Sequence, residues 1–205
     1  MTDITIHRYY HSRSKRILDF FLALSLLTLL SPLIVCLCCS TGIVGGKPVV
    51  YKQMRLGKNK KPFILYKIRT MKKGASVLQQ KLKDLNEAPY PMFKIANDPR
   101  FTRIGKYLSR LGLDEIPQII NIIKGEMSFI GPRPLPIYEA SQLDDTWDFR
   151  YKVKPGILST WALSPKRHDS LAEWKKLEIS GLQCASIAND IRLIIRSVKT
   201  VIFRH

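Results

Sequence analysis

From Phe20 to Cys39 the chain runs for 20 residues without a charge, about the length a helix needs to cross the hydrocarbon core of a bilayer. The wider run Ile17–Cys39 is interrupted only by Asp19, Ser25, Thr28 and Ser31. A buried helix of a soluble domain is a poor fit, since the run is apolar all round. A secretory signal fits poorly too, because the run is long and no small-residue cleavage site is clear. The stretch therefore reads as a membrane anchor over about residues 17–39.

The flanks constrain how that anchor sits. Residues 1–16 carry Arg8, Arg13, Lys15 and Arg16 against Asp3 alone, and residues 41–73 carry ten Lys or Arg and no acid. Positive flanks favour the cytoplasmic side. One spanning helix cannot place both there, whereas a helix that enters, bends and returns can. Ser31-Pro32 supplies the bend, since Pro32 has no N–H to donate. The carbonyl it frees needs a partner, and the Ser31 hydroxyl is the candidate. The expectation is a re-entrant, monotopic helix-break-helix; a simple span with a proline kink is the alternative. Asp19, at the membrane edge, can pair with Lys15 or Arg16.

The chain, anchor included, reads as one catalytic domain over residues 1–205, α+β and mainly helical. Its net charge of +18, from 34 basic and 16 acidic residues, calls for phosphates: nucleic acid, anionic lipid or phosphorylated substrates. Four cysteines do not make a disulfide framework, and Cys36, Cys38 and Cys39 lie inside the apolar run as small hydrophobes. No Cys/His spacing of a zinc site is present.

After a loop at Gly42–Pro48, Val49–Gln53 and Pro62–Lys67 predict a small β-hairpin. Residues 74–88 predict a polar helix or ordered loop. Ile104, Tyr107, Leu108 and Leu111 then share one helical face, with Arg110 in the last turn and Gly112 as the stop. At the other end of the chain, Ile187–Phe203 predicts a basic amphipathic helix carrying Ile191, Ile194, Ile195, Val198, Val201 and Ile202 on one face. On pattern alone it suits a membrane interface or equally a dock on the soluble core, and the anchor upstream favours the interface.

Between them lies Leu113–Pro134. Asp114 reads as a helix N-cap, Pro117 falls in the first turn, and Ile116, Ile119, Ile120 and Ile123 recur at helical spacing up to Gly125. On its own this is a capped helix and a turn. Yet Asp114 and Glu115 would sit at the positive end of a helix dipole. Arg110 precedes them, and Pro132-Arg133-Pro134 displays an arginine from an extended backbone. Arg110, Arg133 and Arg69 are candidates to hold a diphosphate. Mg²⁺ would bridge Asp114 and phosphate oxygens, and an aspartate can itself attack phosphorus. The sequence has no Walker or dinucleotide loop and no Gly-x-Ser-x-Gly elbow.

These segments together resemble a family. Lys15-Arg16-x-x-Asp19, Ser31-Pro32, Tyr66-Lys67-Ile68-Arg69-Thr70-Met71, Asp98-Pro99-Arg100-Phe101-Thr102, Leu113-Asp114-Glu115-Ile116-Pro117-Gln118 and Lys124-Gly125-Glu126-Met127-Ser128-Phe129-Ile130-Gly131-Pro132-Arg133-Pro134 are similar to the small monotopic phosphoglycosyl transferases, the bacterial sugar transferase family. The likeness covers about residues 13–157 in order. It implies transfer of a sugar 1-phosphate from a UDP-sugar to polyprenyl (undecaprenyl) phosphate at the cytoplasmic face of the inner membrane, the first membrane step of surface glycan synthesis. It also implies Asp114 as a nucleophile that carries the phospho-sugar after UMP leaves, Glu115 as its assistant, Mg²⁺ as cofactor, and Arg110 and Arg133 as phosphate contacts. The chain departs from the pattern after Ile157, reading Leu158-Ser159-Thr160-Trp161-Ala162-Leu163, and lacks the aromatic pair usual around Gln183-Cys184. These departures leave the chemistry intact and the sugar open. With 16 residues before the anchor, the multi-span region of longer relatives is not expected.

Two other readings compete. A nucleic-acid binder fits the charge, but the aromatics are not interleaved with the basic residues and the apolar run has no role in it. A catalytically silent membrane scaffold would have lost the acidic pair or the Pro-Arg-Pro, and both are present.

Overall fold

The computed structural model describes residues 4–165 and 169–202. The anchor is one helix, α1, Arg13–Gly45, longer at both ends than expected. It is helical across Pro32, so the expected break is a proline accommodated inside a single helix. The reason is local: the Ser31 hydroxyl donates to the Thr28 carbonyl at 2.8 Å, the group that Pro32 leaves without an N–H partner. Ser12 caps the start by accepting from the Lys15 amide.

The hairpin forms as β1, Val50–Leu56, and β2, Pro62–Ile68, antiparallel with Gln53 opposite Leu65. The polar segment becomes a short helix, α2, Ala75–Lys81, and a 3₁₀ turn, Lys83–Leu85. Helix α3, Arg103–Leu111, follows, capped by Thr102. Of its predicted apolar face only Leu108 is buried; Tyr107 and Leu111 are exposed.

The acidic segment differs from expectation. Leu113–Gln118 is a 3₁₀ helix, and α4, Ile119–Lys124, continues it. Gly112, not Asp114, holds the N-cap position, with φ +70, a left-handed conformation that a residue with a Cβ adopts only at a cost. The tighter winding also shifts the buried stripe. Three residues per turn bring Ile119 under Ile116, and in α4 the inward face continues to Ile122, which is buried, while Ile120 is exposed.

After Gly125 the chain forms β3, Ser128–Ile130, then α5, Ile137–Ala140, a 3₁₀ stretch Asp145–Lys152, and β4, Gly156–Leu158, parallel to β3. Helices α6, Leu171–Gln183, and α7, Ile187–Ile202, close the described chain. Phe203 lies outside the described residues, as do the side chains of Val201 and Ile202.

Two apolar cores organise these elements. One gathers Trp147, Phe149, Trp161 and Trp174 with Leu135, Val153 and Leu182. The other joins Phe63 and Leu65 of the hairpin to Ile119, Ile122, Met127, Phe129 and Leu193, with Ala23 of α1 fully buried and Leu22, Leu26, Leu27 and Leu30 packed against it. The N-terminal half of the anchor is thus part of the domain, while Ile17, Phe21, Leu29 and Val35 remain exposed.

Polar contacts fasten α1 at both ends. Lys15 Nζ lies 2.8 Å from Asp19 Oδ1 and 2.6 Å from Asp190 Oδ2 on α7, so Asp19 pairs with Lys15, one of its two expected partners. Asp19 Oδ2 accepts from the Ser128 hydroxyl at 2.7 Å. Arg16 donates to the Ile122 and Ile123 carbonyls at 2.6 and 2.8 Å, closing the C-terminal end of α4. At the far end Arg69 Nη2 donates to the carbonyls of Gly45 and Gly46. Helix α7 docks through Asp190, Leu193 and Ile194, while Ile187, Ile191, Ile195 and Val198 form an exposed stripe.

Candidate active site

Along β2 the side chains of Phe63, Leu65 and Lys67 fall on one face by alternation. The first two enter the core, and Lys67 reaches the acidic pair where the apolar packing ends. Its Nζ is 2.8 Å from Glu115 Oε1 and 3.5 Å from Asp114 Oδ2. Arg133 Nη2 stands 3.3 Å from the same Glu115 oxygen. Asp114 is buried and Glu115 half-buried.

Asn121 holds this strand and helix in register. It is fully buried; its amide donates to the Ile64 carbonyl at 2.7 Å, and its oxygen accepts from the Tyr66 amide at 3.3 Å. Its side chain therefore pairs with the free edge of β2 as a neighbouring strand would, and ties α4 to the residue next to Lys67.

The two carboxylates are not equivalent. Burial pushes the Asp114 carboxyl above its ordinary range, against the pull of Lys67, and the charge of Glu115 adds to the rise. Burial works against Glu115 too, but the charges of Lys67 and Arg133 and their hydrogen bonds bring it down to about 2. The same two cations therefore favour the ionised form of Glu115 and leave Asp114 the more easily protonated of the pair. Arg133 is held above its usual value chiefly by Glu115, so it stays cationic.

The Pro-Arg-Pro run is fixed by its surroundings. Gly131 donates to the Leu158 carbonyl at 3.1 Å, and Gly156 to the Pro132 carbonyl at 2.9 Å. A Cβ at Gly156 would lie 2.2 Å from the Gly131 nitrogen, so only glycine permits this approach.

The sequence-predicted residues divide as follows. Asp114, Glu115 and Arg133 come together. Arg110 is exposed in the last turn of α3, with Leu111, the αL residue Gly112 and Leu113 between it and the pair. Arg69 is buried, and its Nη2 donates to the Gly45 and Gly46 carbonyls, joining the end of α1 to the end of β2. Ser31 and Pro32 lie in α1, away from the pair in sequence and unbroken in structure. Two residues were missed. Lys67 sits in the quoted Tyr-Lys-Ile-Arg motif at the position that alternation places beside Leu65. Asn121 is a polar residue in the apolar run Ile119-Ile120-Asn121-Ile122-Ile123, an anomaly that signals a buried hydrogen-bonded role.

Among the described residues no group of three or more His, Cys, Asp or Glu side chains is placed to hold a metal ion. Two adjacent carboxylates do fit Mg²⁺ bound by one or two protein oxygens with the remainder from phosphates and water.

A sequence profile of the bacterial sugar transferases matches residues 10–204. The chain belongs to the bacterial sugar transferase family. It is 33% identical over 197 residues, 96% of its length, to the galactosyl transferase CpsE of Streptococcus agalactiae. It is 34% identical over 193 residues to the exopolysaccharide production protein ExoY of Sinorhizobium fredii, and 31% identical over 192 residues to the UDP-glucose:undecaprenyl-phosphate glucose-1-phosphate transferase of Escherichia coli. The match spans 44% of CpsE and 39% of the E. coli protein, against 85% of ExoY. The family's shared region is therefore the part that this chain provides, and it contains the whole Lys67–Asp114–Glu115–Arg133 site.

Proposed function

We propose that the chain transfers a sugar 1-phosphate from a UDP-sugar to undecaprenyl phosphate at the cytoplasmic surface of the inner membrane. The observation that carries this is the acidic pair itself: buried Asp114 beside Glu115, with Lys67 and Arg133 drawn up against them, on a domain built onto an apolar helix. Relatives named for sugar-phosphate transfer to a lipid carrier support the same reading.

An Asp114 oxygen attacks the phosphorus that bears the sugar. One P–O bond forms, the bond to UMP breaks, and UMP leaves with the bonding pair. An oxygen of undecaprenyl phosphate then attacks the same phosphorus and expels the Asp114 carboxylate, giving the sugar on a lipid diphosphate. Lys67 lowers the proton affinity of Asp114 and balances charge on the incoming diphosphate. Arg133 and Arg110 bind its oxygens as planar forks. Asp114, with Glu115 beside it, would hold Mg²⁺, which would supply neutralisation of diphosphate charge. Glu115 fixes Lys67 and Arg133 in place.

We read the anchor as a same-side insertion. What supports it is that both ends of α1 are bonded to one domain, by Arg16 at one end and Arg69 at the other. The exposed stripe Ile187–Val198 on α7, with Tyr107 and Leu111 on α3, is suited to the membrane interface. The test is UMP release by the detergent-solubilised chain with undecaprenyl phosphate, Mg²⁺ and a panel of UDP-sugars. Release with one sugar, lost in Asp114→Asn, supports the assignment. No release with any sugar, or an unchanged rate in Asp114→Asn, ends it.

A further inference from the structure

The segment around Arg133 has a difficulty that its own sequence creates. Between two prolines, the backbone of Arg133 and Pro134 takes no part in the short β3–β4 ladder, yet Pro134 is largely enclosed and Leu135 buried. Their carbonyls need donors. Two arginines from separate elements supply them. Arg150, in the 3₁₀ stretch before β4, is 3% exposed, and its Nη2 donates to the Arg133 carbonyl at 2.7 Å. Arg55, on β1, donates from Nη1 to the Pro134 carbonyl at 2.8 Å. Successive carbonyls of the Pro-Arg-Pro run are thus gripped by two guanidinium groups.

Each arginine is itself fixed. Arg150 Nη2 lies 3.0 Å from Glu178 Oε1 on α6, and the same oxygen accepts from the Trp174 indole at 2.9 Å. Burial pushes the Glu178 carboxyl up, while Arg150, the indole and the Arg133 backbone N–H favour its charged form. Arg150 also packs on the Trp174 and Trp147 rings, 5.1 and 5.9 Å from their centroids. Arg55 is turned by Gln53, whose side-chain oxygen accepts from its Nη2.

These are costly placements for a merely structural purpose. Arg55 Nε, Arg150 Nη1 and Glu178 Oε2 are buried without a hydrogen-bond partner among the described residues. Burial and the like charge of Arg133 bring the Arg55 guanidinium down to about 10. Well-packed apolar side chains in place of the pair would cost the fold little. What the pairs deliver is a fixed Arg133 backbone, and Arg133 is the residue 3.3 Å from Glu115.

We propose that Arg55 and the Arg150–Glu178 pair are positioning residues, which hold the Arg133 backbone so that its guanidinium meets Glu115 and the substrate diphosphate. They touch no reacting atom; they act through Arg133. This rests on the transfer reading for its activity readout. A misplacement of about 1 Å at a charge-binding residue is enough for roughly 10²-fold in rate.

The test is a set of double-mutant cycles with Arg133→Ala, which isolate coupling between the paired sites. Arg150→Lys keeps the charge and loses the planar fork. Alone it should lower kcat by about 10- to 100-fold, with Glu178→Gln and Arg55→Lys in the same direction. In the Arg133→Ala background none should lower the rate further. A full additional loss there, or wild-type kcat in the single variants, overturns the proposal. Thermal unfolding is followed in parallel: should all three variants lose the cooperative transition, the residues are structural supports and the proposal falls. Should the wild-type chain release no UMP from any UDP-sugar, it is the transfer reading that fails. Positioning is then read from the ¹⁵N-arginine spectrum, where Arg150→Lys must broaden or move the Arg133 guanidinium signal; an unmoved signal overturns it.

Discussion

Lys67 Nζ lies 2.8 Å from Glu115 Oε1 and 3.5 Å from Asp114 Oδ2, so one ammonium serves both members of the acidic pair and serves them unequally. The closer contact goes to the residue that stays charged. The farther one leaves Asp114 with a loosely paired, buried oxygen, as a nucleophile requires. Removing this lysine should therefore cost catalysis more than folding. Lys67→Met is expected to lower kcat by roughly 10²-fold or more, the usual effect of deleting one preorganised charge at a reacting centre. Lys67→Arg should recover part of it. Steady-state UMP release reads this, and a rate within a factor of about two of wild type would remove Lys67 from the site.

The same contacts set a pH dependence. Asp114 must be ionised to attack, and burial raises its proton affinity above the ordinary 3.8. The acid limb of kcat should accordingly lie above 3.8, with activity lost as pH falls through the raised value. In Lys67→Met a charge that lowers Asp114 is gone, so the limb moves to higher pH. Glu115 works the other way for stability. Its folded value of about 2 lies below the ordinary 4.5, so its contribution is fully present above 4.5 and lost as pH falls toward 2. A kcat profile in which Lys67→Met leaves the acid limb in place would contradict this account.

Lys15 gives a stability prediction. It is 4% exposed, between Asp19 and Asp190. Lys15→Met would leave two buried carboxylates facing each other without their shared cation. Breaking a buried pair in this way costs about 3–5 kcal/mol. The loss should appear as a lower unfolding midpoint in detergent, and Asp190→Asn, which keeps one ion pair, should cost less. Equal midpoints for wild type and Lys15→Met would mean that the anchor is held by its leucines alone.

Much of this was legible in the chain, for reasons specific to each part. The anchor, the hairpin and the Gly112 and Gly125 stops follow from local rules: charge-free length, alternation and glycine at helix ends. The Ser31–Thr28 bond was readable because a proline's freed carbonyl lies at a known offset. The N-cap at Asp114 was misplaced because Pro117 and Gly112 favour a tighter first turn, which short-range periodicity does not reveal. Lys67 escaped because its partners are 47 and 48 positions away in sequence, and only the packing of β2 on the 3₁₀ helix brings them together. The contact of Arg69 with the end of α1 was hidden for the same kind of reason: Gly45 and Gly46 lie more than twenty positions before it in sequence.

The topology of α1 is the remaining prediction. Its two ends make opposite demands on a spanning arrangement. Arg16 holds α4 at 2.6 and 2.8 Å, and Arg69 of the same domain holds Gly45 and Gly46. A bilayer between those ends would break one set of bonds and leave buried arginine or backbone groups unpaired, at about 1–3 kcal/mol or more each. The chain before Arg13 and the hairpin after Gly46 should therefore lie on one side. In a background with Cys36, Cys38, Cys39 and Cys184 replaced, single cysteines at Thr5 and Lys61 should both resist a membrane-impermeant maleimide applied to intact cells. Both should react once the cells are opened. A cysteine at Leu29, 73% exposed on the apolar midsection, should react with a lipid-soluble reagent in either case. Labelling of Thr5→Cys but not Lys61→Cys in intact cells would make α1 a true span, and the contacts at one of its ends would then have to be absent in the membrane.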